Sequence, residues 1–138
     1  MTLGQQLELE EGRRRYAYQD SLGYWTVGVG RCIDARVPGT GLADDEIAYL
    51  LKNDIARAMT DAYTIPAFRA LSDVRRDVIV DMTFNVGLPG VRKFRRMWAA
   101  IEAQQWDKAG AEILDSTIAP ARAKRLARMM ATNQPASA

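Results

Sequence analysis

The 138-residue chain contains no histidine and a single cysteine, Cys32. The first absence removes Ser-His-Asp and Cys-His hydrolase chemistry, and with it the histidine-ligated zinc common among wall amidases and endopeptidases. The second leaves no intrachain disulfide and no cysteine-rich metal site, which is compatible with a reducing cytoplasm. Cys32 reads as a packed free thiol, since no imidazole is available to activate it. There is also no run of 18 or more apolar residues, and the N-terminal Met-Thr-Leu-Gly-Gln-Gln lacks a basic stretch followed by an apolar one. No membrane-spanning segment or secretion signal is therefore expected. What remains as acid–base equipment is carboxylates.

Length predicts one domain with its own core. The net charge of +2 is unevenly spread, −3 over residues 1–61 and +5 over residues 62–138. The excess gathers in Arg92-Lys93-Phe94-Arg95-Arg96 and Arg122-Ala123-Lys124-Arg125-Leu126-Ala127-Arg128. Such clusters attract an anionic polymer, either wall glycan or nucleic acid, or else they form a solvated helix face. No nucleic-acid-binding motif accompanies them.

Periodicity and punctuation predict a helix over about 3–11, then a small antiparallel sheet to about residue 36, closed by the turn residues Pro38-Gly39-Thr40-Gly41. A long helix follows from Leu42 to about Tyr63, its first turn enriched in acid by Asp44, Asp45 and Glu46. Further helices are expected over 68–70, 73–84, 92–104, 106–114 and 120–130, the last with Pro120 in its first turn. Val74, Val78, Ile79 and Met82 read as core, and Asn133–Ala138 as a loose tail.

The chemistry concentrates near the start. Glu11 precedes Gly12, a residue that ends helices readily. In a last helical turn the negative end of the dipole disfavours an ionised carboxylate by roughly 0.3–1 kcal/mol, which suits a group that must hold a proton and give it away. Asp20, nine positions on, follows an alternating run and opens the turn Ser21-Leu22-Gly23, so it is expected at a strand end within reach of water. Two carboxylates in different surroundings are what glycosidic cleavage needs, one to protonate the departing oxygen and one to activate water or bond the sugar. Helical spacing alone does not choose between Glu10 and Glu11, because Leu3 and Leu7 form a stripe with Glu10 near its centre and Glu11 on its flank.

Glu11-Gly12, then Tyr18-Gln19-Asp20, then Gly23-Tyr24-Trp25-Thr26-Val27-Gly28-Val29-Gly30 resembles the catalytic segment of the phage-type lysozymes, the endolysin muramidases whose pattern is Glu-Gly, Tyr-x-Asp and Gly-x-x-Thr-x-Gly-x-Gly. The resemblance assigns the acid to Glu11, the water-activating base of an inverting displacement to Asp20, and water positioning to Thr26. An inverting pair implies carboxyl groups about 6.5–9.5 Å apart.

Met82-Thr83-Phe84-Asn85-Val86-Gly87 is similar to a second signature of that family, which implies Phe84 and Asn85 as groove residues. Physically, an aromatic face beside an amide packs on a sugar ring and bonds its hydroxyl or acetamido groups, while core packing is the alternative for Phe84. Arg122-Ala123-Lys124-Arg125 resembles the family's late Arg-Ala-x-Arg motif, which makes Arg122 a substrate-side residue. Two departures stand out: Arg31 occupies a position where relatives often carry histidine, and Asp115–Pro120 is shorter than the corresponding segment, without its tryptophan.

The resemblance implies an α+β, mainly helical fold, with a sheet lobe over about 12–42, a connecting helix over 43–63 and a helical lobe over 64–132. It further implies a monomeric, cofactor-free hydrolase of bacterial peptidoglycan, needing no metal and binding no nucleic acid. Such a protein is made in the host cytoplasm and reaches the wall through another factor or inside a phage particle. An inactive wall-binding or virion structural module of the same fold is the alternative.

Overall fold

The computed structural model describes residues 1–137. The chain folds as two compact units, Met1–Leu50 and a second that begins at Leu51. The fold is α+β and mainly helical, with a small antiparallel sheet near the N-terminus and helices after it.

In the first unit, α1 spans Leu3–Glu11. Thr2 begins it with a reciprocal cap: its hydroxyl accepts from the Gln5 N–H at 3.2 Å, and the Gln5 side chain accepts from the Thr2 N–H at 2.8 Å. Gly12 ends it at φ 78, ψ 169, with its N–H donating to Glu8 O at 2.9 Å. The expected glycine stop is present, although its ψ is extended rather than left-handed helical, a region open essentially to glycine alone.

Strands β1 (Arg14–Gln19), β2 (Trp25–Gly28) and β3 (Arg31–Cys32) form one antiparallel sheet in sequence order. Tyr18 pairs with Thr26 and Gln19 with Trp25, whereas the register slips between Arg14 and Tyr18. On the other side of β2, Thr26 faces Cys32 and Val27 faces Arg31.

Helix α2 runs Asp44–Ala62, and the boundary between the units falls inside it. Its start is fixed by Glu46, whose Oε1 accepts the Ala43 N–H at 2.9 Å while both carboxylate oxygens accept from Arg31 Nη1 at 2.6 and 2.5 Å. Arg31 is thus an ion-pair partner that ties β3 to the first turn of α2.

The second unit holds α3 (Pro66–Arg69), α4 (Asp73–Arg92), α5 (Arg95–Glu102), α6 (Trp106–Leu114) and α7 (Pro120–Thr132). The buried apolar core lies here, with Phe68, Val78, Ile79, Met82, Met97, Ile113, Leu126 and Met130 shielded from water. Each such side chain contributes about 1.5–3 kcal/mol by burial. Val78, Ile79 and Met82 are core as expected, and Val74 packs against it partly buried. Gly110 is where α6 meets α7: a Cβ there would stand 2.8 Å from the Ala127 carbonyl oxygen, so only glycine fits this approach.

Two expectations need correction. Helical structure after Asp73 does not stop at Phe84 but continues to Arg92, interrupted at Gly87, whose φ 72, ψ 163 turns the chain before Pro89. Asn133 is not loose. It adopts φ 59, ψ 27 as the left-handed cap of α7, with its N–H on Met129 O at 2.9 Å and its side-chain oxygen accepting from Ser72 Oγ at 2.5 Å. Ala138, the end of the expected tail, lies outside the described residues. The short Asp115–Pro120 link is tightly tied: Ser116 Oγ donates to Ile113 O at 2.5 Å and accepts the Ile118 N–H at 3.3 Å, with Ile118 buried. Among the described residues no helix is long and apolar enough to cross a membrane.

Candidate functional site

Glu11, Asp20 and Thr26 all belong to the first unit, which supplies each of them by a different local device. Glu11 is the last residue of α1 and is solvent-exposed. Gly30, at φ 67 in the turn between β2 and β3, comes close to it: a Cβ on Gly30 would be 3.1 Å from Glu11 Cγ, Cδ and Oε2. The carboxyl therefore rests against a stretch of backbone that carries no side chain.

Asp20 opens the β1–β2 turn. Its main chain closes the turn, with Asp20 N–H on Tyr24 O and Gly23 N–H on Asp20 O, each 2.9 Å. Its side chain closes it again, since Oδ1 accepts the Leu22 and Tyr24 N–H groups, both at 2.9 Å. This is what an aspartate does at many turns. Only one oxygen is spent in this way; among the described residues Oδ2 has no hydrogen-bond partner and remains able to accept a proton.

Thr26 is 4% exposed, and its Oγ1 donates to Tyr24 O at 3.1 Å. A hydroxyl whose proton is committed in this way offers only its lone pairs to a neighbour. Tyr24 consequently links the two side chains, its N–H held by Asp20 and its carbonyl holding Thr26.

Two residues absent from the sequence reading brace the same turn. Asp34 is buried, and its oxygens accept from Trp25 N–H, from Arg36 N–H and from the Arg36 guanidinium. The Arg36 guanidinium first, and then the Trp25 and Arg36 N–H groups, hold the Asp34 carboxyl well below the usual carboxylate range. An Asp-x-Arg sequence after a strand is too common a pattern to have revealed this.

In the second unit, Phe84 is 46% exposed, so it is not a core residue. It lines a hollow of about 420 Å³ together with Leu51, Ile55, Met59, Asp77, Val80, Asp81 and Arg122. Arg122 is held there by Asp81, with Nε 2.6 Å from Oδ1 and a second guanidinium nitrogen donating to the Asp81 carbonyl at 3.0 Å. Partial burial, with the Asp73 carboxylate nearby, pushes Asp77 above the usual aspartate value. Asn85 is exposed beside Phe84 in sequence but does not line this hollow. Asp81 is a further residue that the sequence reading missed, since its partner lies 41 positions away.

Similarity to known proteins agrees with this arrangement. The chain is 27% identical over 135 residues to the pre-baseplate central spike protein Gp5 of Enterobacteria phage T4, covering 79% of this chain and 23% of that protein. It is 24% identical over 138 residues to the probable T4-type lysozyme 1 of Dictyostelium discoideum, covering 80% of this chain and 81% of that one. It thus spans less than a quarter of the spike protein's length and most of the other's. The phage lysozyme family model matches residues 8–128, and the chain belongs to the phage lysozyme family.

Proposed function

We propose that this chain is a muramidase, a glycoside hydrolase that cuts the bond between N-acetylmuramic acid and N-acetylglucosamine in bacterial peptidoglycan. Glu11 gives its proton to the departing glycosidic oxygen. A water molecule donates one hydrogen to a lone pair of Thr26 Oγ1 and the other to Asp20 Oδ2, which leaves an oxygen lone pair for the anomeric carbon. As the carbon–oxygen bond to the leaving sugar breaks and that to water forms, Asp20 takes the water's proton, and solvent exchange resets both acids. The anomeric configuration inverts.

One observation carries this reading: Asp20 and Thr26 are both fixed to the peptide groups of Tyr24, and the fixing leaves Asp20 Oδ2 and the threonine lone pairs for water. Phe84 and Asn85 serve as glycan contacts, an aromatic face with an amide next to it in sequence, and Arg122 is a charged contact held in place by Asp81. The protein works as a monomer without metal or cofactor, and nucleic acid is not its partner. It reaches the wall once another factor opens the membrane, or as part of a phage particle.

The second reading is an inactive wall-binding or virion structural module, supported by the similarity to a spike protein and by the short Asp115–Pro120 link. Turbidity of permeabilised bacteria separates the two. The muramidase clears the suspension, whereas the module sediments with walls and leaves it turbid.

A further inference from the structure

Asp34 and Arg36 touch neither Asp20 nor Thr26, yet between them they grip the three consecutive residues that link those two. Asp34 Oδ2 accepts the Trp25 N–H at 3.0 Å. Arg36 donates to the Gly23 carbonyl at 2.9 Å, and its guanidinium lies 5.2 Å from the centre of the Tyr24 ring. The two side chains are locked to each other, with Arg36 Nε 2.9 Å from Asp34 Oδ1 and a second guanidinium nitrogen 2.7 Å from Oδ2. Oδ1 also takes the Arg36 N–H at 2.9 Å.

The Asp34 main chain is anchored in turn. Its carbonyl accepts from the Val37 N–H and from Thr40 Oγ1, each at 3.0 Å. A rigid loop therefore reaches across to the segment whose middle residue, Tyr24, bonds Asp20 on one side and Thr26 on the other. A buried carboxylate is costly to desolvate, and it is retained where donors at fixed positions satisfy it. Here those donors are backbone and side-chain groups at both ends of the brace.

We propose that Asp34 and Arg36 are positioning residues for wall hydrolysis: by fixing Gly23, Tyr24 and Trp25 they set where Asp20 Oδ2 and the Thr26 hydroxyl point. This rests on the muramidase reading above. Displacement of reacting groups by about 1 Å costs on the order of 100-fold in rate, so the brace acts on turnover and not on glycan affinity.

The test uses the full chain with Asp34→Asn, Arg36→Gln and Arg36→Lys, acting on purified peptidoglycan at a temperature where circular dichroism shows each variant folded. The expected result is a fall of about 100-fold in kcat for Asp34→Asn and Arg36→Gln, an unchanged half-saturating wall concentration, and partial recovery in Arg36→Lys. Should Asp34→Asn not fold, Arg36→Gln decides alone, since its side chain is largely exposed. Variants that melt earlier yet keep kcat within about twofold would reduce the pair to a structural role. NMR of the Asp20 carboxyl carbon and the Tyr24 amide reads the brace without any turnover. Both resonances are expected to move in Arg36→Gln even if the wild-type protein cuts no wall, a result that would sink the muramidase reading and not the brace. Unmoved resonances would overturn the brace itself.

Discussion

Gly30 and Glu11 meet so closely that the α carbon of one leaves room for the carboxyl of the other: an added Cβ would sit 3.1 Å from Glu11 Cγ, Cδ and Oε2. Gly30 also holds φ 67, where a side chain is strained. Gly30→Ala is therefore expected to cost about 1–2 kcal/mol in stability and to push the Glu11 carboxyl from its place. Melting curves read the first effect and wall clearing the second. Unchanged clearing would show that Glu11 need not lie where it does.

Glu11→Gln keeps the size of the side chain and removes its transferable proton. Because Glu11 is exposed at a helix end, the change in stability should stay within about 0.5 kcal/mol, while wall clearing falls by at least about 100-fold. Near-normal clearing by a folded variant would discard Glu11 as the acid.

Asp34 makes stability depend on pH. Its folded value lies below the ordinary 3.8, so near that pH the unfolded chain binds more protons than the folded one. The stability it contributes is complete above about pH 4 and is lost as pH falls toward the folded value. Glu46, lowered by Arg31, acts in the same direction, and Asp77, raised by burial, acts in the opposite one. Asp34→Asn should then flatten the acid side of a plot of melting temperature against pH. Parallel curves for variant and wild type would show that the carboxylate contributes nothing of this kind.

Phe84 and Phe68 make a matched pair, one half-exposed and one buried. Phe68→Ala should cost about 3–5 kcal/mol. Phe84→Ala should cost less than that and instead weaken sedimentation with purified walls. Equal destabilisation with unchanged wall binding would return Phe84 to the core.

Elements that carry their own punctuation were legible in the sequence: Gly12 ends α1, Pro120 starts α7, and apolar spacing gives the span of α6. The run Gly87-Leu88-Pro89-Gly90 suggested a break, and it hid the helical turns on its far side, because glycine and proline signal a local bend and say nothing of what resumes after it. The same holds for the candidate site. Glu11, Asp20 and Thr26 could be picked out because they lie in one short stretch with a recognisable spacing. Asp34 with Trp25 and Asp81 with Arg122 are pairings across 9 and 41 positions, and such contacts leave no periodic or local trace.

The central claim is that water, activated by Asp20, replaces the sugar leaving group protonated by Glu11. Mass spectrometry of fragments released from purified peptidoglycan tests it most directly. The account predicts fragments that have gained one water and end in reducing N-acetylmuramic acid; anhydro ends, or no fragments from a folded protein, would contradict it.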